Sequence, residues 1–159
     1  CNPCQCGEFG VQGGTCTCSP AEVRRYAGKI SGPLLDRVDI DLRMRRVARI
    51  SEERRAGLSS AEARTRVVAA RARAAERLAG TPWRTNAQVP GTWLREGPRR
   101  LAGAARRSLD SALERGLITL RAYDRVTRVA WTIADLEERD EPNASDVGRA
   151  LFLKKGVSA

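Results

Sequence analysis

The chain has 159 residues, 42% of them hydrophobic and 30% charged, a composition that suits one globular domain or two small ones and excludes a disordered or membrane-spanning chain. It holds no histidine, which excludes Ser-His-Asp and Cys-His catalysis and any metal site built on imidazole. The net charge of +10 is concentrated: residues 43–107 carry 17 basic and 5 acidic groups, while each flank nets −1. Such a block favours an anionic partner such as nucleic acid or bound phosphate. Coding bias in a GC-rich genome is the competing explanation, since only three of the 29 basic residues are lysines.

Residues 1–18 read as a compact loop rich in cysteine and glycine. Helix signals follow at once: Ser19 as N-cap, Pro20 at the first position and Glu22 closing an S-x-x-E capping box, with Val23, Tyr26, Ala27 and Ile30 on one stripe. Ser31-Gly32-Pro33 breaks this helix and Leu34 to Arg37 form a short turn. Val38, Ile40, Leu42 and Met44 then alternate with Asp39, Asp41 and Arg43, the pattern of a strand with one buried face. A loop-like stretch runs to Gly57. Ser59 with Glu62 makes a second capping box, opening an Ala/Arg helix to about Ala79 with Ala63, Val67, Ala70, Ala74 and Leu78 facing the core. Residues 81–98 are irregular around a single turn at Thr92–Glu96. A helix from Arg99 to Arg115 stops at Gly116, and Thr119 caps another over Leu120–Glu138. Pro142-Asn143 starts a last helix through Phe152.

Two constellations carry chemistry. Cys4-x-Cys6 and Cys16-x-Cys18 place four thiols on a loop too poor in apolar residues to fold on a core of its own. Four thiolates can surround one structural zinc ion, whose binding would supply the missing folding energy. A redox or disulfide pair within the loop is the alternative. Cys1 leaves the count odd and reads as a small buried residue, not a ligand. The second constellation is spread along the chain: Asn2-Pro3, then Ser31-Gly32-Pro33-Leu34-Leu35-Asp36-Arg37-Val38-Asp39, then Arg121-Ala122-Tyr123-Asp124-Arg125 continuing to Ile133-Ala134-Asp135-Leu136. Each piece taken singly is ordinary, whether as a turn, a surface arginine beside acids or a solvated helix stripe.

In this order and spacing the motifs resemble the C-terminal part of Mg-chelatase-like AAA+ ATPases of the YifB/ComM group, over nearly the whole chain. The resemblance implies a mainly α chain: the end of an α/β AAA+ core with one or two strands and the Cys4 loop (1–44), a basic helix and irregular connection (45–98), then a helical lid (99–159). The strand at 38–44 would be the last of a parallel sheet. By the same resemblance Asn2 stands at sensor 1, Arg37 at the arginine finger that reaches a neighbour's γ-phosphate, and Arg121 at sensor 2, with Arg128 the alternative. The intact protein would be a homo-oligomeric ring, a hexamer, using ATP and Mg to work on DNA, as in branch migration. Walker A and B are absent from the chain; Gly28-Lys29 is followed by Ile30, not Ser or Thr. The chain alone is therefore expected to be inactive. Two rivals remain: a zinc-stabilised, non-enzymatic nucleic-acid-binding module, and a chelatase-type motor acting on a protein or porphyrin. With no apolar run near 20 residues and no signal peptide in CNPCQCGEFG, a cytoplasmic protein is expected.

Overall fold

Local capping signals decide where most of the helices begin. The computed structural model describes residues 2–11, 13–42 and 57–155, and these fall into two units. Cys1, Met44 and the arginine-rich stretch between Arg43 and Arg55 lie outside the described residues.

The described residues of the first unit are 2–11 and 13–38. Helix α1 (Pro20–Ala27) starts at the expected box: Ser19 Oγ accepts the Glu22 N–H at 3.3 Å and the Glu22 carboxylate accepts the Ser19 N–H at 2.8 Å. That reciprocal pairing satisfies two of the orphan donors of the first turn, and it holds the Glu22 carboxyl below its ordinary range. Helix α2 (Gly32–Asp36) is capped by Ser31, whose hydroxyl accepts from the Leu34 N–H at 3.3 Å. Neither helix buries a residue. The α1 stripe is only half covered, and Leu34 and Leu35 are each about half exposed. Among the described residues of this unit, Cys4 alone is fully buried.

The second unit, 39–42 and 57–155, is helical throughout its regular structure: α3 (Ser60–Arg77), a 3₁₀ turn at Asn86–Gln88, α4 (Gly91–Glu96), α5 (Gly103–Glu114), α6 (Leu120–Leu136) and α7 (Ala144–Lys155). Helix α6 is its axis. On one side Tyr123, Val126, Ala130 and Ile133 pack with Leu101, Ala105 and Leu109 around α5 and with Val147 and Ala150 of α7. On another, Trp131 meets Leu78, Val89 and Leu94, so the end of α3 and α4 close over it. Gly116, at φ 66°, ends α5 in a Schellman turn: its N–H reaches Leu113 O and the Leu117 N–H reaches Ala112 O, both at 2.9 Å. Helix α7 opens on a box of its own. The Asn143 side chain accepts from Ser145 and Asp146 N–H, and the fully buried Asp146 carboxylate accepts from Asn143 N–H at 2.9 Å.

The mainly α architecture expected from the sequence is present, with three local departures. Residues 38–42 form no strand, and the described residues contain none. An alternating run becomes a strand only if a neighbouring backbone completes its ladder; here Val38, Ile40 and Leu42 all stay exposed, and Asp41 N–H donates instead to Leu153 O at 2.8 Å. Helix α5 starts four residues later than Arg99. Helix α3 buries only the second half of its stripe: Ala70, Ala74 and Leu78 are buried, whereas every residue from Ser60 to Ala69 is exposed, Ala63 and Val67 included.

Candidate functional site

The four cysteines come together. Cys4 Sγ lies 3.3 Å from Cys6 Sγ and 3.9 Å from Cys16 Sγ, Cys6 and Cys16 are 3.6 Å apart, and all four sulfurs lie within 4.8 Å of one another. A tetrahedron with metal–sulfur bonds of about 2.3 Å has edges of about 3.8 Å, so the cluster has the size of one four-thiolate metal site. It does not have the geometry of disulfides, which need about 2.05 Å, and all four thiols are free. The backbone that shapes the cluster depends on glycine. Gly7, at φ 84°, closes the turn after Cys4 with its N–H on Cys4 O at 3.2 Å, and a Cβ at Gly14 would come within 2.8 Å of the Glu8 carboxylate.

Electrostatics point the same way as geometry. A backbone hydrogen bond at Glu8, then one from the Cys4 side chain, pulls the Cys6 thiol down to about 6. A backbone hydrogen bond at Cys18 favours the Cys16 thiolate, but desolvation and the neighbouring Cys6 and Cys4 outweigh it and push Cys16 up to about 12. Cys18 is likewise raised, by Cys6, desolvation and Cys4, against a backbone hydrogen bond at Cys6. One sulfur ionises readily and its neighbours then resist, because a second thiolate this close would be repelled by the first. These residues can hold one metal ion.

The three polar residues of the second constellation sit at exposed positions. Asn2 lies beside the turn at Gly7, its amide nitrogen 3.5 Å from where a Cβ would stand. Arg37 is the C-cap residue of α2, where its guanidinium donates to Pro33 O at 3.2 Å; it makes no ion pair among the described residues, and Asp39 is engaged elsewhere. Arg121 occupies the first turn of α6, and its side chain makes no hydrogen bond or ion pair among the described residues. The two arginines that follow it on α6 are committed to the fold. Arg125 pairs with Asp39 at 2.6 Å, and Arg128 gives Nε and Nη2 to Val89 O at 3.0 and 2.8 Å.

A buried polar cluster went unread in the sequence. Arg77, at the end of α3, forks onto Asp135 of α6 at 2.5 and 2.8 Å, and Asn86 joins both, accepting from Arg77 at 2.9 Å and donating to Asp135 at 2.8 Å. The guanidinium also lies 4.3 Å over the Trp131 ring. A carboxylate between Ala134 and Leu136 on an apolar helix face was the available signal, since a buried charge demands a partner.

The second unit is a helical module built around α6, and the first gathers four cysteines that could hold a metal ion. The chain belongs to the magnesium chelatase family: the family described as magnesium chelatase, subunit ChlI C-terminal, matches residues 57–154, and magnesium chelatase, subunit ChlI, matches residues 1–52. This membership makes it a relative of AAA+ ATPases. An uncharacterized protein of Mycobacterium tuberculosis is 43% identical over 154 residues, covering 97% of this chain and 30% of its own length. The uncharacterized protein YifB of Escherichia coli and the competence protein ComM of Haemophilus influenzae are each 32% identical over 141 residues, 87% of this chain, and 26% and 27% of their own lengths. The chain thus spans less than a third of these relatives. No solved structure matches it. No helix among the described residues is long and apolar enough to cross a membrane.

Proposed function

We propose that this chain is the C-terminal functional part of a ring-forming AAA+ ATPase, a hexamer that couples hydrolysis of MgATP to remodelling of DNA such as branch migration. What supports the reading is that Arg37 and Arg121, at the positions the resemblance gives to the finger and to sensor 2, are both exposed and make no ion pair among the described residues. A guanidinium that is to meet a phosphate has to be exposed and free of a carboxylate partner, and both meet that condition among the described residues. Arg128 spends its donors on Val89, which favours Arg121 as sensor 2. Arg37 would stabilise the charge that spreads over the γ-phosphoryl oxygens of a neighbour's ATP. Asn2, as sensor 1, would orient the attacking water. The phosphate cradle, a Walker A loop and its acidic Walker B partner, is absent from these 159 residues and would come from elsewhere in the intact protein.

The test is ATP turnover by the full-length protein with and without branched DNA, against this chain alone. Turnover stimulated several-fold by DNA in the full-length protein, and none from the chain alone, is the expected result. DNA-independent turnover would favour a motor acting on a protein or porphyrin. A second reading, a non-enzymatic nucleic-acid-binding module, rests on Arg64 and Arg71, which are exposed and unpaired among the described residues of α3. It requires the chain alone to bind DNA with log K falling by about 0.9 per phosphate contacted as log salt rises.

Cys4, Cys6, Cys16 and Cys18 would hold one structural zinc ion, closing the site to substrate. Metal analysis of reduced protein should return one zinc per chain, and Cys16→Ser should lose it. The first unit, whose described residues bury only Cys4, would then become sensitive to protease, as expected when metal binding supplies folding energy of about 10 kcal/mol or more. Reduced wild-type protein without metal would defeat the assignment.

A further inference from the structure

Helix α6 holds more than a candidate sensor. Arg125 follows Arg121 by one helical turn on the same face, displaced by about 6 Å along the axis. Its guanidinium donates to Asp39 Oδ1 at 2.6 Å across 86 residues of sequence. The arginine side chain is 22% exposed and that of Asp39 50%. Asp39 follows Arg37 by two residues, so roughly 7 Å of extended backbone at most separates their Cα atoms. Two residues further on, Asp41 N–H donates to Leu153 O of α7 at 2.8 Å. The short segment behind Arg37, which belongs to the helical unit, is therefore held at two points within it, once by an ion pair to α6 and once through the backbone to α7. Arg125 Nε is buried without a hydrogen-bond partner, an unfavourable arrangement that simple packing would avoid with an apolar side chain. Both members of the pair stand inside the two motifs that hold Arg37 and Arg121.

We propose that the Asp39–Arg125 ion pair is a positioning latch, tying the segment that follows Arg37 to the helix that carries Arg121, so that a nucleotide-driven movement of α6 is transmitted to the finger. The inference rests on the reading of Arg37 and Arg121 given above. Asp39 and Arg125 touch no nucleotide in this scheme; they act through their neighbours. Loss of the latch should leave nucleotide affinity intact and lower the turnover number, because the finger would meet its neighbour's phosphate in fewer productive arrangements.

The experiment uses the full-length protein, with Asp39→Ala, Arg125→Ala, Arg37→Ala and the swapped pair Asp39→Arg with Arg125→Asp. The expected result is a kcat lowered about tenfold in either single latch variant. The Kd for a fluorescent ATP analogue and the thermal midpoint should stay near wild type, and the swapped pair should recover at least threefold over the single variants. Single variants with kcat within twofold of wild type, while Arg37→Ala is inactive, overturn the latch and leave the finger reading standing. An active Arg37→Ala overturns the finger reading itself. If a single variant lowers the thermal midpoint, the swapped pair decides: restored midpoint without restored kcat makes the pair structural and overturns the proposal.

Discussion

On the finger role proposed above, Arg37→Ala in the full-length protein will reduce ATP turnover by about 10³-fold or more while ATP binding survives almost unchanged. The expectation follows from where charge builds up. In phosphoryl transfer the transition state spreads negative charge over the γ-oxygens, so a guanidinium aimed there stabilises it far more than the ground state. An arginine supplied from a neighbour contributes nothing to holding ATP in its own subunit, which is why affinity and rate should separate. Arg37→Lys should recover little, because an ammonium is a point charge without the planar fork that spans two oxygens. Mixed rings sharpen the test. If Arg37 acts in trans, a subunit lacking it will still hydrolyse ATP when its neighbour supplies the arginine, so activity in mixtures with a Walker-deficient partner will exceed that of either variant alone. Loss of ATP binding in Arg37→Ala would refute the finger assignment.

How far the sequence reaches depends on how local the cause is. The starts of α1, α3, α6 and α7 were legible because a capping side chain and its backbone donors lie within four residues of one another, as at Ser19 with Glu22 and Ser59 with Glu62. The cysteine cluster was legible too: two C-x-C pairs on a glycine-rich loop have few ways to avoid each other. Surfaces set by distant chain were not legible. Val38, Ile40 and Leu42 alternate like a strand, yet a strand is a relation between two segments, and the second is not among the described residues. Ala63 and Val67 lie on the same stripe as Ala70 and Ala74; periodicity identifies the face but not how far along the helix a partner extends. The site residues divide on the same principle. Asn2, Arg37 and Arg121 came from resemblance, since an exposed arginine carries no local mark of its role. Arg125 and Arg128 looked like the rest of a solvated stripe until their partners at Asp39 and Val89, 86 and 39 residues away, were seen.

Asp135→Ala will destabilise the helical unit by about 3–5 kcal/mol, more than removal of any exposed charge in this chain. Asp135 is 3% exposed, and the side chains of the pair are 2% exposed for Asp135 and 8% for Arg77. Removing the carboxylate strands a guanidinium between α3 and α6, in contact with the Trp131 ring and with only Asn86 to receive it. The stranded charge costs more than the ion pair contributes, because desolvation has already consumed most of the Coulombic gain. That asymmetry gives the prediction its structure. Asp135→Ala should lower the thermal midpoint by at least about 10 °C for a unit of this size. Arg77→Met alone should also be costly, since it leaves a buried carboxylate, whereas Arg77→Met with Asp135→Leu should cost much less than the two singles added together. A midpoint shift below about 2 °C for Asp135→Ala would mean that the pair is hydrated and weak, and that apolar contacts such as those of Leu78 with Trp131 carry the packing of α3 on α6. Thermal unfolding of the four variants, followed by circular dichroism at 222 nm, separates these outcomes.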